Sequence, residues 1–196
     1  MESSNIQNEK PDLTSRQIDL IEESTVGQAG NENWHKQRKG RITVSNFYRV
    51  STRVKTLKKV GENGSRSIAS AEKLVDSLLG NAGVPENMPA LKYGREMEPV
   101  AKRVYLKLFE KEHKGISYGE CGLFVHKQKQ YLAASPDLLI ECLCCGKGVL
   151  EIKYPLSVAN TVLGASNLPY LHSSQQKVTL KRQHQRLQWN ILVNNI

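Results

Sequence analysis

The chain has 196 residues, of which 39% are hydrophobic and 24% charged, enough for one domain with a core of its own. Its 28 Lys or Arg against 19 Asp or Glu leave a net charge of +9, and its 4 cysteines are few for a disulfide scaffold. No apolar run is long enough to span a bilayer and the start is too polar for a secretory signal, which sets aside membrane-spanning and secreted classes. The expected setting is intracellular, nuclear in a eukaryote.

Residues 1–33 hold two basic against seven acidic side chains. Residues 1–32 are read as an acidic, disordered leader, with a helix over 14–24 compatible with Leu13, Ile18, Leu20 and Ile21, and the folded domain is expected over 33–196. Between Trp34 and Lys73 there are eleven basic and two acidic residues, a surplus equal to the whole net charge. Such a concentration favours a polyanion, most simply nucleic acid; the competing interpretation is a solvated basic face.

Gly40 is placed to close a short helix, and Thr43 to cap a second one holding Val44, Phe47, Tyr48 and Val50. A helix start beside Arg38, Arg41 and the Ser45 hydroxyl makes a natural phosphate site, because free backbone N–H groups and guanidinium donors converge there. Trp34 either packs in the core or stacks on a base. Residues 55–66 are expected as a mobile basic loop. A helix is expected over 68–79, ending at Gly80.

The longest helical pattern spans 91–113. Pro99 suggests that regular helix begins close to Glu98, where a carboxylate is favoured simply by the helix dipole. Three strands are expected over 119–125, 131–141 and 147–154, the second kinked by Pro136. On the third, Glu151 and Lys153 share a face about 7 Å apart, and the hairpin brings Asp137 beside Glu151. Two carboxylates with an ammonium suit a magnesium-dependent phosphodiester hydrolase, yet an acid followed two residues later by lysine is also an ordinary surface pair.

Cys142, Cys144 and Cys145 crowd the hairpin tip, with Cys121 upstream as a conceivable fourth zinc ligand. Paired C-x-x-C spacing is absent, so the reading favours reduced, unliganded cysteines over zinc. A helix then a loop are expected over 155–170. A basic, Gln-rich helix over 180–193, able to track a phosphate backbone, closes the chain.

Together these residues resemble the YqaJ viral recombinase family, lambda exonuclease-like members of the PD-(D/E)xK nuclease superfamily. Four blocks occur in the family's order: Trp34, His35, Lys36, Arg38, Gly40, Ile42, Thr43 and Ser45; Gly94 with Glu98; Ser135, Pro136 and Asp137; and Leu150, Glu151, Ile152, Lys153 and Pro155. The resemblance implies an α/β fold with a restriction-endonuclease-like core, a central mixed β-sheet flanked by helices. It implies magnesium, replaceable by manganese, held by Glu98, Asp137, Glu151 and the Ile152 carbonyl. Lys153 would activate the attacking water, and Arg38 and Ser45 would hold a terminal 5′ phosphate. Gln188, or alternatively Gln185, would serve as the glutamine of the late helix.

The sequence departs from the family at Leu138, where glycine is common, and in the late helix, which lacks the usual tyrosine. The family domain normally continues into a further strand, so truncation at the C-terminus is expected. The implied function is a magnesium-dependent DNA exonuclease, 5′ to 3′ on duplex ends, of a phage- or transposon-derived recombination system. Implied partners are DNA, a single-strand-annealing recombinase and further copies of the chain. The alternatives are a catalytically inactive DNA-binding remnant of the same fold and a nicking endonuclease.

Overall fold

Ordered structure starts well before residue 33. The computed structural model describes residues 12–60, 65–80, 88–152, 156, 159, 171–174 and 177–180. Helix α1 (Ser15–Ser24) opens with a capping box: Thr14 Oγ1 accepts from the Gln17 N–H at 3.3 Å, and Gln17 Oε1 accepts from the Thr14 N–H at 2.8 Å. Ile18 and Ile21, three apart on one face, are buried against Leu123, Val125 and Ala133. The expected helix is there, but residues 15–32 are part of the fold and not a disordered leader. Acid-rich composition describes the outer face of α1 and misses its two core isoleucines.

A short 3₁₀ turn (Gln28–Gly30) leads to α2 (Glu32–Arg38), whose N-cap Asn31 accepts from the Asn33 N–H at 2.9 Å. Gly40, at φ +74°, ends this segment, and its N–H donates to the Leu78 carbonyl at 2.9 Å. Strand β1 (Ile42–Thr43) and α3 (Val44–Val60) follow, then α4 (Ser65–Leu79), closed by Gly80 at φ +77°. The stretch expected as a loop from residue 55 is helical as far as Val60. Val50, Val54 and Leu57 prolong the helical spacing of α3, and Arg53 and Lys55 between them are good helix formers.

Helix α5 spans Pro89–Glu112, with Pro89 in its first turn and Pro99 inside it. The expected start near Glu98 is therefore corrected: the proline at the helix N-terminus is Pro89, and Glu98 lies mid-helix. Pro99 removes one backbone donor from a largely exposed helix that continues past it.

The hairpin region splits twice. In place of a strand over 119–125 there are β2 (Ser117–Gly119) and β3 (Phe124–Val125). In place of a kinked strand over 131–141 there are β4 (Leu132–Ala134) and β5 (Leu138–Cys142), followed by β6 (Gly146–Leu150). Two three-stranded sheets result, one ordered β1-β4-β3 and mixed, the other β2-β5-β6 and antiparallel. The fold is thus mixed α/β with small sheets flanked by helices, and among the described residues the strands fall into small separate sheets. Pro136 explains one break, since it cannot donate to a ladder. Gly122 explains the other: a Cβ there would lie 2.0 Å from the Glu22 carbonyl oxygen, so this segment is pressed onto the end of α1 instead of pairing.

A further hairpin, β7 (Leu171–Ser174) with β8 (Lys177–Leu180), carries a polar sequence that gave no strand signal. Apart from Leu180, which ends β8, the expected late helix lies outside the described residues, as does nearly all of 155–170. Among the described residues no helix is long and apolar enough to cross a membrane.

Candidate functional site

The β5–β6 ladder runs from Cys142↔Gly146 to Leu138↔Leu150, which sets Asp137 and Glu151 one residue beyond the last pair on facing strand ends. There the main-chain ladder gives way to a side chain. The Asp137 N–H donates to the Leu150 carbonyl at 3.0 Å, and Asp137 Oδ2 accepts from the Ile152 N–H. The Asp137 carboxylate is thereby fixed beside the Glu151–Ile152 peptide by a charge-assisted bond. Leu138 starts β5 with its side chain buried, and Gln28 is the non-glycine residue with positive φ among the described residues. Leucine therefore fits position 138 in ordinary strand geometry.

Two contacts hold the loop ahead of Asp137. Gln28 Nε2 donates to the Pro136 carbonyl at 2.7 Å and to the Cys121 carbonyl at 3.1 Å, and the Cys121 thiol donates to the same Pro136 oxygen at 3.1 Å. Burial, helped by the charges of Glu22 and Asp137, pushes the Cys121 thiol up to about 12. Cys121 is a structural sulfhydryl under the loop that leads into β5, away from the hairpin tip.

Glu98 sits on α5 with Oε1 3.8 Å from Lys102 Nζ, which also reaches Glu120 at 3.7 Å. Its mid-helix position removes the helix-dipole explanation offered by an N-terminal one. Among the described residues Glu98, Asp137 and Glu151 do not converge as a three-ligand cluster. The charges of Lys102 and Asp137 act on the Cys121 thiol in opposite directions, the first lowering and the second raising it. Lys153 and Gln188 are outside the described residues.

The basic segment divides into two roles. Arg38 Nη2 donates to Ser45 Oγ at 3.1 Å and to Thr43 Oγ1 at 3.4 Å, and these hydroxyls lie 2.9 Å apart. Its guanidinium carbon stands 4.0 Å from the centroid of the Trp34 ring, a cation–π arrangement. Among the described residues no carboxylate pairs with Arg38. Burial lowers it to about 10, which still leaves it charged near neutrality. Arg41 instead turns to main chain, its Nε donating to the Gln130 carbonyl at 3.1 Å and its Nη1 to the Gln37 carbonyl.

Trp34 settles its own alternatives in part. It packs against the core of Ile18, Ile21, Leu123, Val125 and Ala133, and its indole N–H donates to Ser135 Oγ at 2.8 Å. Sequence reading missed Thr43 as a member of the Arg38 group, and Gln28 as the brace under Pro136. Thr43 was legible as a hydroxyl two residues from Ser45; Gln28 carried no signal, because its partners are more than ninety residues away.

No curated protein matches the chain. A family profile described as the YqaJ-like viral recombinase domain matches residues 33–185, about three quarters of the chain and all four sequence blocks. With that match, the chain belongs to the YqaJ-like viral recombinase domain family.

Proposed function

We propose that this protein is a metal-dependent deoxyribonuclease acting on duplex DNA ends in recombination, with a PD-(D/E)xK site built on the β5–β6 hairpin. YqaJ-like domains are generally nucleases. The observation that carries the reading to this chain is the Asp137 carboxylate bonded to the Ile152 N–H beside Glu151. An all-oxygen, anionic donor set suits magnesium, and manganese by the same chemistry. Asp137 and Glu151 would hold the ion, with Glu98 released from Lys102 as a third ligand. When bound, the metal neutralises charge on the phosphate and makes a water molecule more acidic.

The residues of the chain supply the remainder. The Ile152 N–H holds Asp137 in a single orientation, so the ion would meet a preorganised carboxylate. Lys153, the residue after Ile152 in the sequence, would orient the attacking water. Arg38 would receive a terminal phosphate in bidentate fashion, with Ser45 and Thr43 as neutral donors and no carboxylate to displace. Recognition of a phosphorylated end favours exonuclease action, 5′ to 3′, over internal nicking.

The test uses linear 5′-phosphorylated duplex and closed circular duplex, each with magnesium or with EDTA. Magnesium-dependent loss of the linear DNA alone is expected. Cleavage of circles would favour the nicking endonuclease, and binding without degradation would favour a DNA-binding remnant.

A further inference from the structure

Four metal-ligating side chains converge at the far end of the hairpin from Asp137. Cys142 ends β5, Cys144 and Cys145 lie in the turn before β6, and His113 directly follows α5. His113 Nδ1 is 3.2 Å from Cys144 Sγ, 3.3 Å from Cys142 Sγ and 3.6 Å from Cys145 Sγ. Cys142 and Cys144 sulfurs are 3.4 Å apart and those of Cys144 and Cys145 3.8 Å apart, with all four ligand atoms within 4.8 Å of one another.

These distances match a particular object. With Zn–S bonds of about 2.3 Å and Zn–N bonds of about 2.0 Å, a tetrahedral centre has S–S edges near roughly 3.8 Å and S–N edges near roughly 3.5 Å. The sulfur separations exceed a disulfide bond, about 2.05 Å, and all four cysteines are free. The fourth ligand is not Cys121, whose thiol is engaged with Pro136.

The ligands are held from both sides. The Leu143 N–H in the turn donates to the Lys114 carbonyl at 2.9 Å, tying the cysteine turn to the residue after His113. Gly115, at φ +60°, lies so close to Leu143 that a Cβ would stand 2.4 Å from its side chain. The His113 ring lies 4.2 Å from that of Phe109, one helical turn earlier, which fixes its orientation.

We infer that His113, Cys142, Cys144 and Cys145 bind one zinc ion in a closed tetrahedral site that staples the end of α5 to the tip of the β5–β6 hairpin. Three thiolates and an imidazole fill the coordination sphere, so the ion is structural and has no open position for water. Its consequence is mechanical: α5 carries Glu98 and the hairpin carries Asp137 and Glu151, and the staple fixes one element against the other. Neither the site nor its test depends on whether the protein cuts DNA.

The test is metal analysis of the full chain, purified with zinc present and dialysed into metal-free buffer. About one zinc per chain is expected. Cobalt in its place should give the strong visible absorption of tetrahedral cobalt and a thiolate charge-transfer band. Cys144→Ser should weaken zinc binding at least about 100-fold in chelator competition. His113→Cys, which exchanges the imidazole for a fourth thiolate, should keep the metal and shift the cobalt spectrum. A folded wild-type protein that loses its zinc on dialysis, or gives no tetrahedral cobalt spectrum, would overturn the proposal. Binding that Cys144→Ser leaves unchanged would do the same.

Discussion

The indole N–H of Trp34 donates to Ser135 Oγ at 2.8 Å, fastening the helix that carries Arg38 to the loop that leads into Asp137. Two sites that are a hundred residues apart in sequence are thereby linked through one side chain. Trp34 also bears the Arg38 guanidinium on its ring, so it orders Arg38 and braces the hairpin loop together.

Trp34→Phe keeps an aromatic ring but removes the donor to Ser135. It is expected to lower stability by about 1 kcal/mol in urea unfolding. It should also weaken DNA-end binding, because a smaller ring holds Arg38 less well. A variant with unchanged stability would show that the Ser135 bond contributes nothing to the fold.

Arg38→Ala should reduce the preference for phosphorylated over hydroxyl ends by about tenfold or more, the size of a lost charge-assisted bond. Arg38→Lys should recover only part, since an ammonium cannot engage a phosphate bidentately. Parallel kcat/KM measurements on the two end types provide the check. Arg41→Ala should act differently: its donors reach the Gln130 and Gln37 carbonyls, so the expected loss is in stability more than in end preference.

Gly122→Ala should detach α1 from the sheets. The new Cβ would meet the Glu22 carbonyl oxygen at 2.0 Å and Thr25 Oγ1 at 2.4 Å. Thr25 Oγ1 accepts from the Leu123 N–H at 2.7 Å and Glu22 Oε1 from the Gly122 N–H at 2.9 Å, and both bonds would be strained. A loss of about 2–3 kcal/mol is expected by chemical denaturation.

How far the sequence revealed this arrangement depended on the range of each interaction. Helix α4 with Gly80, a disturbance of the strand at Pro136 and the pairing of Asp137 with the Glu151 strand end were legible, because propensity, turn chemistry and a single hairpin register determine them. The role of α1 was not, since Ile18 and Ile21 find their partners at Leu123, Val125 and Ala133 far along the chain. His113 was missed beside the three cysteines for the same reason. Only the packing of α5 brings it to the hairpin tip.

Cys121 should resist alkylation in the native protein at pH 8. It is 1% exposed, and burial raises its thiol from 9.0 to about 12, so little thiolate forms. Keeping this thiol protonated favours the fold fully below pH 9, and that contribution is lost as pH rises toward about 12. Mass spectrometry after iodoacetamide treatment, with and without denaturant, provides the measurement. Rapid native labelling of Cys121 would contradict the packing around Pro136.

Asp137, set beside Glu151 by the hairpin, is the residue on which the proposed metal-dependent cutting site depends most. Asp137→Asn in the magnesium assay on linear 5′-phosphorylated duplex, with DNA binding measured on the same sample, tests it most directly. Degradation is expected to fall by about a thousandfold or more, the scale of losing a metal ligand essential to the chemistry, while binding persists. Degradation at the wild-type rate by the Asn variant, or none by the wild-type protein, would contradict it.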